Sequence, residues 1–329
     1  MSNISFPKED YLRLFNLNPD TTFSISQDPY ANLIDNYEDL IFILITDNEE
    51  LSERFSKRKD DRIKSIKNSE ADDYDKQFCI AEINLHWSLI EWRFGKYFKS
   101  GFLLKDAYNT LKQLDSRNKE RTSHKKSFGL LNILLSAIPS EYQWLLEIFG
   151  LQNNFKRGLE DLSIASQESF FKEEAQILLA YVYGFILEDR NASSHLAEKI
   201  KNYENHTGNL YYLISCNKIA RNELGLTFYK NLNTQIIPSH IKPFFLLQYA
   251  ELLLKKGEYE LAENYFKEYI DAFKGQIFKS NAKLKIAYSQ ILMDKKIQSS
   301  KSEDPDNSFS ISDRYASSKL KDLTSIKNT

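Results

Sequence analysis

The chain has 329 residues, 42% hydrophobic and 27% charged, a composition that supplies a substantial core and excludes an intrinsically disordered protein. Its 44 basic and 46 acidic side chains leave a formal charge of −2, so no global field selects nucleic acid or any other charged partner class. Two cysteines, Cys79 and Cys216, argue against a disulfide framework, and ten glycines with seven prolines leave too few turns for an all-β or doubly wound fold.

Residues 1 to about 28 mix polar residues with scattered aromatics and are expected to form a loosely ordered lead-in to a helix from about Tyr30 to Thr46. The opening residues lack a basic start and an apolar run, and Leu40 to Ile45 is too short to span a bilayer. No leader and no anchor are therefore expected, which together with the free thiols points to the cytoplasm. The next clear helix carries Phe78, Ala81, Leu85, Leu89 and Trp92 on one stripe and Ile83, Trp87, Ile90 and Phe94 on another. A helix apolar on two faces is covered on two sides, as inside a stack of helical repeats. Gly95-Lys96-Tyr97 then turns the chain, with Ser100 and Leu104 following.

Lys125 to Ile138 is apolar and stops at Pro139, after which Ser140-Glu141-Tyr142-Gln143 has the form of a capping box that starts a helix at Glu141. Tyr142, Leu145, Leu146 and Phe149 share one face of it, and Gly150 ends it. Further helices are expected at Phe155 to Leu162, Phe170 to Leu187 and Ser193 to Tyr203, with a pair at Leu210 to Leu224 and Leu226 to Leu232.

The clearest unit runs from Phe244 to Phe273. Leu246, Tyr249, Ala250 and Leu253 precede Lys256-Gly257-Glu258-Tyr259, and Leu261, Ala262, Tyr265, Phe266, Tyr269 and Ile270 follow at helical spacing. This helix, glycine turn and helix occupy the tetratricopeptide positions. The interval from Ser88 to Gly95 equals that from Ala250 to Gly257, so the earlier helix pair belongs to the same repeat type. A last helix, Ser280 to Asp294, puts Leu284, Ala287, Tyr288, Ile291 and Leu292 on one stripe. Gln298 to Thr329 is rich in Ser, Lys and Asp and is expected to be disordered. The stack then ends under-capped, with self-association, a partner or further residues expected to cover it. The expected fold is an all-α, tetratricopeptide-like helical-hairpin solenoid with a disordered C-terminal tail. Its parts are N-terminal helices in residues 1–73, a repeat domain in residues 74–296 and the tail in residues 297–329.

The run Ser136 to Gly150, with Ile138-Pro139, Tyr142-Gln143-Trp144 and Gly150, resembles the family of the inclusion-body clearance factor and the tetratricopeptide-repeat 39 proteins. Asn84-Leu85-His86-Trp87 and Phe273-Lys274-Gly275-Gln276 look like its bacterial branch, and the likeness covers roughly Tyr74 to Lys296. The resemblance implies an α-helical repeat scaffold without a known catalytic apparatus, and also further helices after Lys296, where the sequence shows only a polar tail.

No phosphate-binding glycine loop and no serine elbow is present. Cys79 and His86 lie seven apart on one helix face, yet Cys79 also falls among core positions. His195 and Glu198 lack the second pair that a carboxylate-bridged metal site needs. Two basic clusters, Arg54 to Lys67 and Arg117 to Lys126, are interrupted by acids and are taken as solvated helix surface rather than phosphate sites. No catalytic residue, metal site or cofactor is assigned, and no nucleic-acid partner is expected.

The expected function is non-enzymatic protein interaction, with an extended or helical protein or peptide partner in a repeat groove. By analogy with tetratricopeptide grooves the lining is Glu82, Leu85, Leu89, Trp92 and Arg93 in the early unit. In the late unit it is Phe244, Leu247, Glu251, Leu254 and Lys255. Leu85 and Leu89 stand where peptide-carboxylate clamps carry polar residues, which favours apolar ligands. The alternative is a peripheral protein that meets anionic lipid through the basic clusters and Leu40 to Ile45.

Overall fold

The computed structural model describes residues 6–138, 143–295 and 311–326. Among these residues there are sixteen α-helices and no strand. The chain divides into two compact units, one of residues 1–44 with 49–200 and one of residues 45–48 with 201–329.

The first unit opens with α1 (Lys8–Arg13) and a 3-10 turn (Leu14–Asn16), followed by α2 (Pro29–Thr46), α3 (Glu49–Asn68) and α4 (Asp73–Arg93). It continues through α5 (Tyr97–Arg117), α6 (Ser123–Ser136), α7 (Gln143–Phe149) and α8 (Phe155–Glu168). The helix α9 (Lys172–Tyr181) runs into a π-helical turn (Val182–Ile186), and α10 (Arg190–Lys201) ends the series. The second unit holds α11 (His206–Lys218), α12 (Asn222–Asn231), α13 (Lys242–Lys256), α14 (Tyr259–Ala272), α15 (Lys279–Leu292) and α16 (Ile311–Ile326). The capping box at Ser140 lies outside the described residues, except for its last member, Gln143.

The stripe of Ile83, Trp87, Ile90 and Phe94 on α4 is covered throughout, and the other is covered from Phe78 to Leu85 but open at Leu89 and Trp92. Phe78, Cys79, Ala81, Ile83, Trp87 and Ile90 are all essentially inaccessible to solvent, so this helix has almost no amphipathic character despite its core position. The Asp72 carboxylate accepts from the Asp75 amide at 2.9 Å and starts it.

The hairpins share one turn. Gly95, Ala220 and Gly257 adopt left-handed backbone at φ 74°, 60° and 89°. In each case the next amide reaches back five residues, Lys96 to Glu91 O at 2.9 Å, Arg221 to Cys216 O at 2.9 Å and Glu258 to Leu253 O at 3.0 Å. Five residues after each turn stands a small residue, Ser100, Gly225 or Ala262, where the second helix crosses the first. Ser100 Oγ donates to the Ser88 carbonyl at 2.8 Å across that crossing.

The boundary expected at Gly225 is thereby corrected. α11 ends at Lys218, and Gly225 lies inside α12, where a Cβ would stand 2.7 Å from Leu252 Cδ1 and 2.9 Å from Cys216 Cβ. That glycine serves close packing, while the turn falls on Ala220, a residue with no sequence signature for positive φ.

Both ends also depart from expectation. The N-terminal lead-in is helical at Lys8–Arg13 and buries Tyr11, Leu14 and Phe15, because Tyr11 packs edge-on against Phe171 at 5.1 Å between ring centroids. At the C-terminus, residues 311–326 form α16 where disorder was expected. Ala316, Leu320 and Leu323 recur at helical spacing and pack on Leu284 and Ala287 of α15, so the end expected to be under-capped carries a covering helix.

A glycine pair lets two backbones of the first unit approach closely. A Cβ on Gly129 of α6 would lie 2.7 Å from Gly158 O, and one on Gly158 of α8 would lie 2.6 Å from Gly129 O. Both neighbours are backbone and cannot swing aside. Gly129→Ala and Gly158→Ala should each lower stability by about 1–3 kcal/mol. The readout is the urea midpoint, and unchanged midpoints would show that α6 and α8 do not meet through these residues.

Candidate interaction surface

Five helices of the first unit converge on one buried ammonium. Lys126 of α6 is 1% exposed. Its Nζ donates to Tyr37 Oη and Glu82 Oε2, both at 2.7 Å, and to Glu174 Oε1 at 3.0 Å. Glu174 Oε2 accepts in turn from the hydroxyls of Tyr11 and Tyr37, each at 2.9 Å. Burial opposes the charge on Lys126, but Glu174 and Glu82 outweigh it and hold the ammonium above the ordinary lysine range. Burial and the same carboxylates keep both tyrosines protonated.

The adjoining polar groups are structural as well. Asn36 Nδ2 meets His86 Nδ1 at 2.8 Å, and Trp87 Nε1 donates to Asn36 Oδ1 at 2.9 Å. His86 is therefore engaged with α2 rather than with Cys79, whose thiol burial pushes well above its usual pKa. His195 is exposed, and among the described residues no group of three His, Cys, Asp or Glu side chains is placed to hold a metal ion. The basic clusters are partly consumed by ion pairs within the first unit. Arg58 and Arg62 pair with Asp39 at 2.9 and 2.5 Å, Arg121 with Asp72 at 2.7 Å and Lys125 with Asp161 at 2.6 Å. No helix among the described residues is long and apolar enough to cross a membrane.

The residues expected to line a groove fall into two groups. Glu82, Leu85 and Leu247 are buried, which corrects their assignment as accessible lining: α3 packs on α4, and Glu82 is spent on Lys126. Glu251 forms an ion pair with Lys285, and Lys255 Nζ donates to the Asn217 carbonyl at 2.6 Å. Phe244 stands edge-on to Phe273 at 5.2 Å, with Leu254 half-buried and Arg93 half-buried beside the Phe94 ring. Leu89 and Trp92 remain open to solvent.

Trp92 is one of several large apolar side chains open to solvent on α4, α5 and α7. Its ring meets Tyr97 edge-on at 4.9 Å. On α5, Phe98 and Phe102 are 81% and 61% exposed, and on α7 Trp144 and Ile148 are 54% and 62% exposed. The two helices are joined where Phe102 contacts Phe149 edge-on at 5.8 Å and Phe149 seats over Gly101. A Cβ on Gly101 would lie 2.3 Å from the Phe149 ring. Exposed side chains of this size make these helices the candidate interaction surface. Phe98, Phe102, Trp144 and Ile148 were not anticipated. Their signal in the sequence is that Phe98 and Phe102 stand four apart, off the buried face that carries Ala107, Tyr108 and Leu111.

Two outcomes follow from the buried cluster. Lys126→Met leaves the buried Glu82 and the part-buried Glu174 without their cation and should cost about 3–5 kcal/mol, read as a fall in the urea midpoint. Burial, with Lys126 nearby, lowers the His86 pKa to about 3. Below the ordinary histidine value the unfolded chain binds a proton that the folded chain excludes. Its contribution is thus complete above about pH 6.5 and declines toward pH 3 at up to about 1.4 kcal/mol per unit. Between pH 6.5 and 4.5 the wild type should lose about 1–3 kcal/mol more stability than His86→Gln. Equal losses would mean that His86 titrates freely in the folded protein.

The family model described as Iml2/Tetratricopeptide repeat protein 39 matches residues 45–274, a span that takes in α3 to α14. No curated protein and no solved structure matches the chain. With well over half of its length matched and its helices folded as a repeat stack, the chain belongs to the Iml2/Tetratricopeptide repeat protein 39 family.

Proposed function

We propose that the chain is a non-enzymatic protein-interaction scaffold, and that the aromatic surface of α4, α5 and α7 receives an apolar helical segment of a partner protein. The observation that carries this reading is the concentration of Trp92, Tyr97, Phe98, Phe102, Trp144 and Ile148 in open positions on packed helices. Family membership supports it, since stacked helix hairpins offer extended surfaces for peptides and helices. Leu89 and Trp92 keep their assigned role, and the late set around Phe244 and Leu254 is a secondary surface in the second unit.

The partner segment carries acidic residues beside its apolar anchors. Lys105 follows the Phe98–Phe102 pair on α5, and the N-terminal end of α5 adds the positive end of the helix dipole, while Lys99 is paired with Glu91 at 2.5 Å. Cys79 is a buried thiol outside any disulfide, which fits a cytoplasmic setting.

Cross-linking at position 98, followed by identification of the captured segment, supplies a peptide for titration. Trp92 and Trp144 report its binding through their emission, because Trp87 is buried. Phe98→Asp with Phe102→Asp should weaken binding roughly 10- to 100-fold while leaving the circular dichroism unchanged. Unaltered affinity in the double variant overturns the surface assignment. An emission shift with anionic vesicles and with no peptide favours the lipid reading instead.

A further inference from the structure

The last helix of the second unit is held differently from the others. Gly257 joins α13 to α14 in an antiparallel hairpin, as the shared turn requires. α16 instead runs parallel to α15. Asp313, in its first turn, accepts from the Phe278 amide at 2.7 Å and the Asn281 amide at 3.0 Å, both at the N-terminal end of α15. Further along, Ala316 and Leu320 meet Leu284 and Ala287. The end of α15 and the start of α16 therefore lie about the 14-residue length of α15 apart, roughly 20 Å.

α15 has no N-cap side chain of its own. The cap position is Phe278, in left-handed backbone at φ 59°, and its side chain offers no acceptor. The first amides of the helix, which need an acceptor, receive one from Asp313, itself 2% exposed. The electrostatics agree with this arrangement. Lys285 of α15, which pairs with Glu251, is lowered to about 8 by burial, and Asp313 acts against that shift. Removing Asp313 would take a counter-charge from Lys285 and the cap from α15 together.

A tether as long as residues 293–310 can extend to about 60 Å, far more than the return requires. α16 is thus held by its contacts, as a bound helix would be. We propose that the flank of α15 carrying Leu284 and Ala287 is a helix-binding site whose built-in occupant is α16. A partner helix with an acid in its first turn, a small residue three positions later and a leucine seven positions later occupies it in place of α16. The code is that of Asp313, Ala316 and Leu320. It lies beyond the residues that the family match spans, and it does not depend on the aromatic surface of the first unit.

The experiment uses the full chain and a fluorescent peptide of residues 311–326. The chain carrying Asp313→Ala and Leu320→Glu, whose own α16 is weakened, should bind the peptide at least tenfold more tightly than the wild type does. A peptide with Asp313→Ala should bind that chain at least tenfold more weakly than the unaltered peptide. In the wild-type chain, excess peptide should accelerate amide exchange in α16 and leave α13 and α14 unchanged. Peptide binding to neither chain, or equally to both, overturns the proposal, as does protection in α16 equal to that of α14 and insensitive to peptide. A concentration-dependent dimer abolished by Asp313→Asn overturns it in favour of exchange of α16 between two copies.

Discussion

The Lys126 ammonium is the constraint on which the first unit depends. It belongs to α6, yet its acceptors come from α2, α4 and α9, and Tyr11 adds α1 through Glu174. Apolar contacts are non-directional and would tolerate a helix sliding by part of a turn. A buried cation that must reach two carboxylates and a phenol does not. Each helix is fixed in translation and rotation relative to one point, and departure from it leaves a charge desolvated without its partner. The dense aromatic packing around it, with Phe6, Tyr11 and Phe171 in mutual contact at centroid distances of 5.1–5.4 Å, fills the space that this point defines.

The hairpin architecture was legible because its signals are local. Gly95 and Gly257 announce left-handed turns, and Ser88 and Ala250 stand seven residues before them. Where the same backbone turn is built on Ala220, the local signal vanishes, and the nearest glycine misleads by five residues. The C-terminal helix was hidden for a related reason. In α16 the apolar positions are few, Ala316, Leu320 and Leu323, among many Ser and Lys residues, so composition concealed a periodicity sufficient to cover one face of α15.

The candidate site was less legible than the fold. The two apolar stripes of α4 established that the helix is covered on two sides, but not by what. Glu82, Leu85 and Leu247 were assigned to an open groove by analogy, and long-range contacts bury them. Glu82 is informative here, since an acid between two apolar stripes gives no hint that its cation lies 44 residues further on, in α6. Trp92 was identified by the same analogy, as a first-helix position of the early hairpin. Its neighbours on α5 and α7 were not, because their proximity depends on Phe149 seating over Gly101, which no periodicity reveals.

The balance between inside and outside charge ties these features together. A chain with nearly equal numbers of acids and bases could place all of them on its surface as a neutral, solvated coat. This one draws Asp39, Arg62, Glu82, Lys126 and Asp161 into its interior and leaves Phe98, Phe102, Trp144 and Ile148 outside. Replacing an interior ion pair with packed apolar residues is often neutral or stabilising, so stability alone does not account for the exchange. Interior pairs do impose a single register on helices whose turns carry little information. A fixed register is what the proposed aromatic surface needs, because rings supplied by three separate helices can serve one partner only while those helices hold their relative positions.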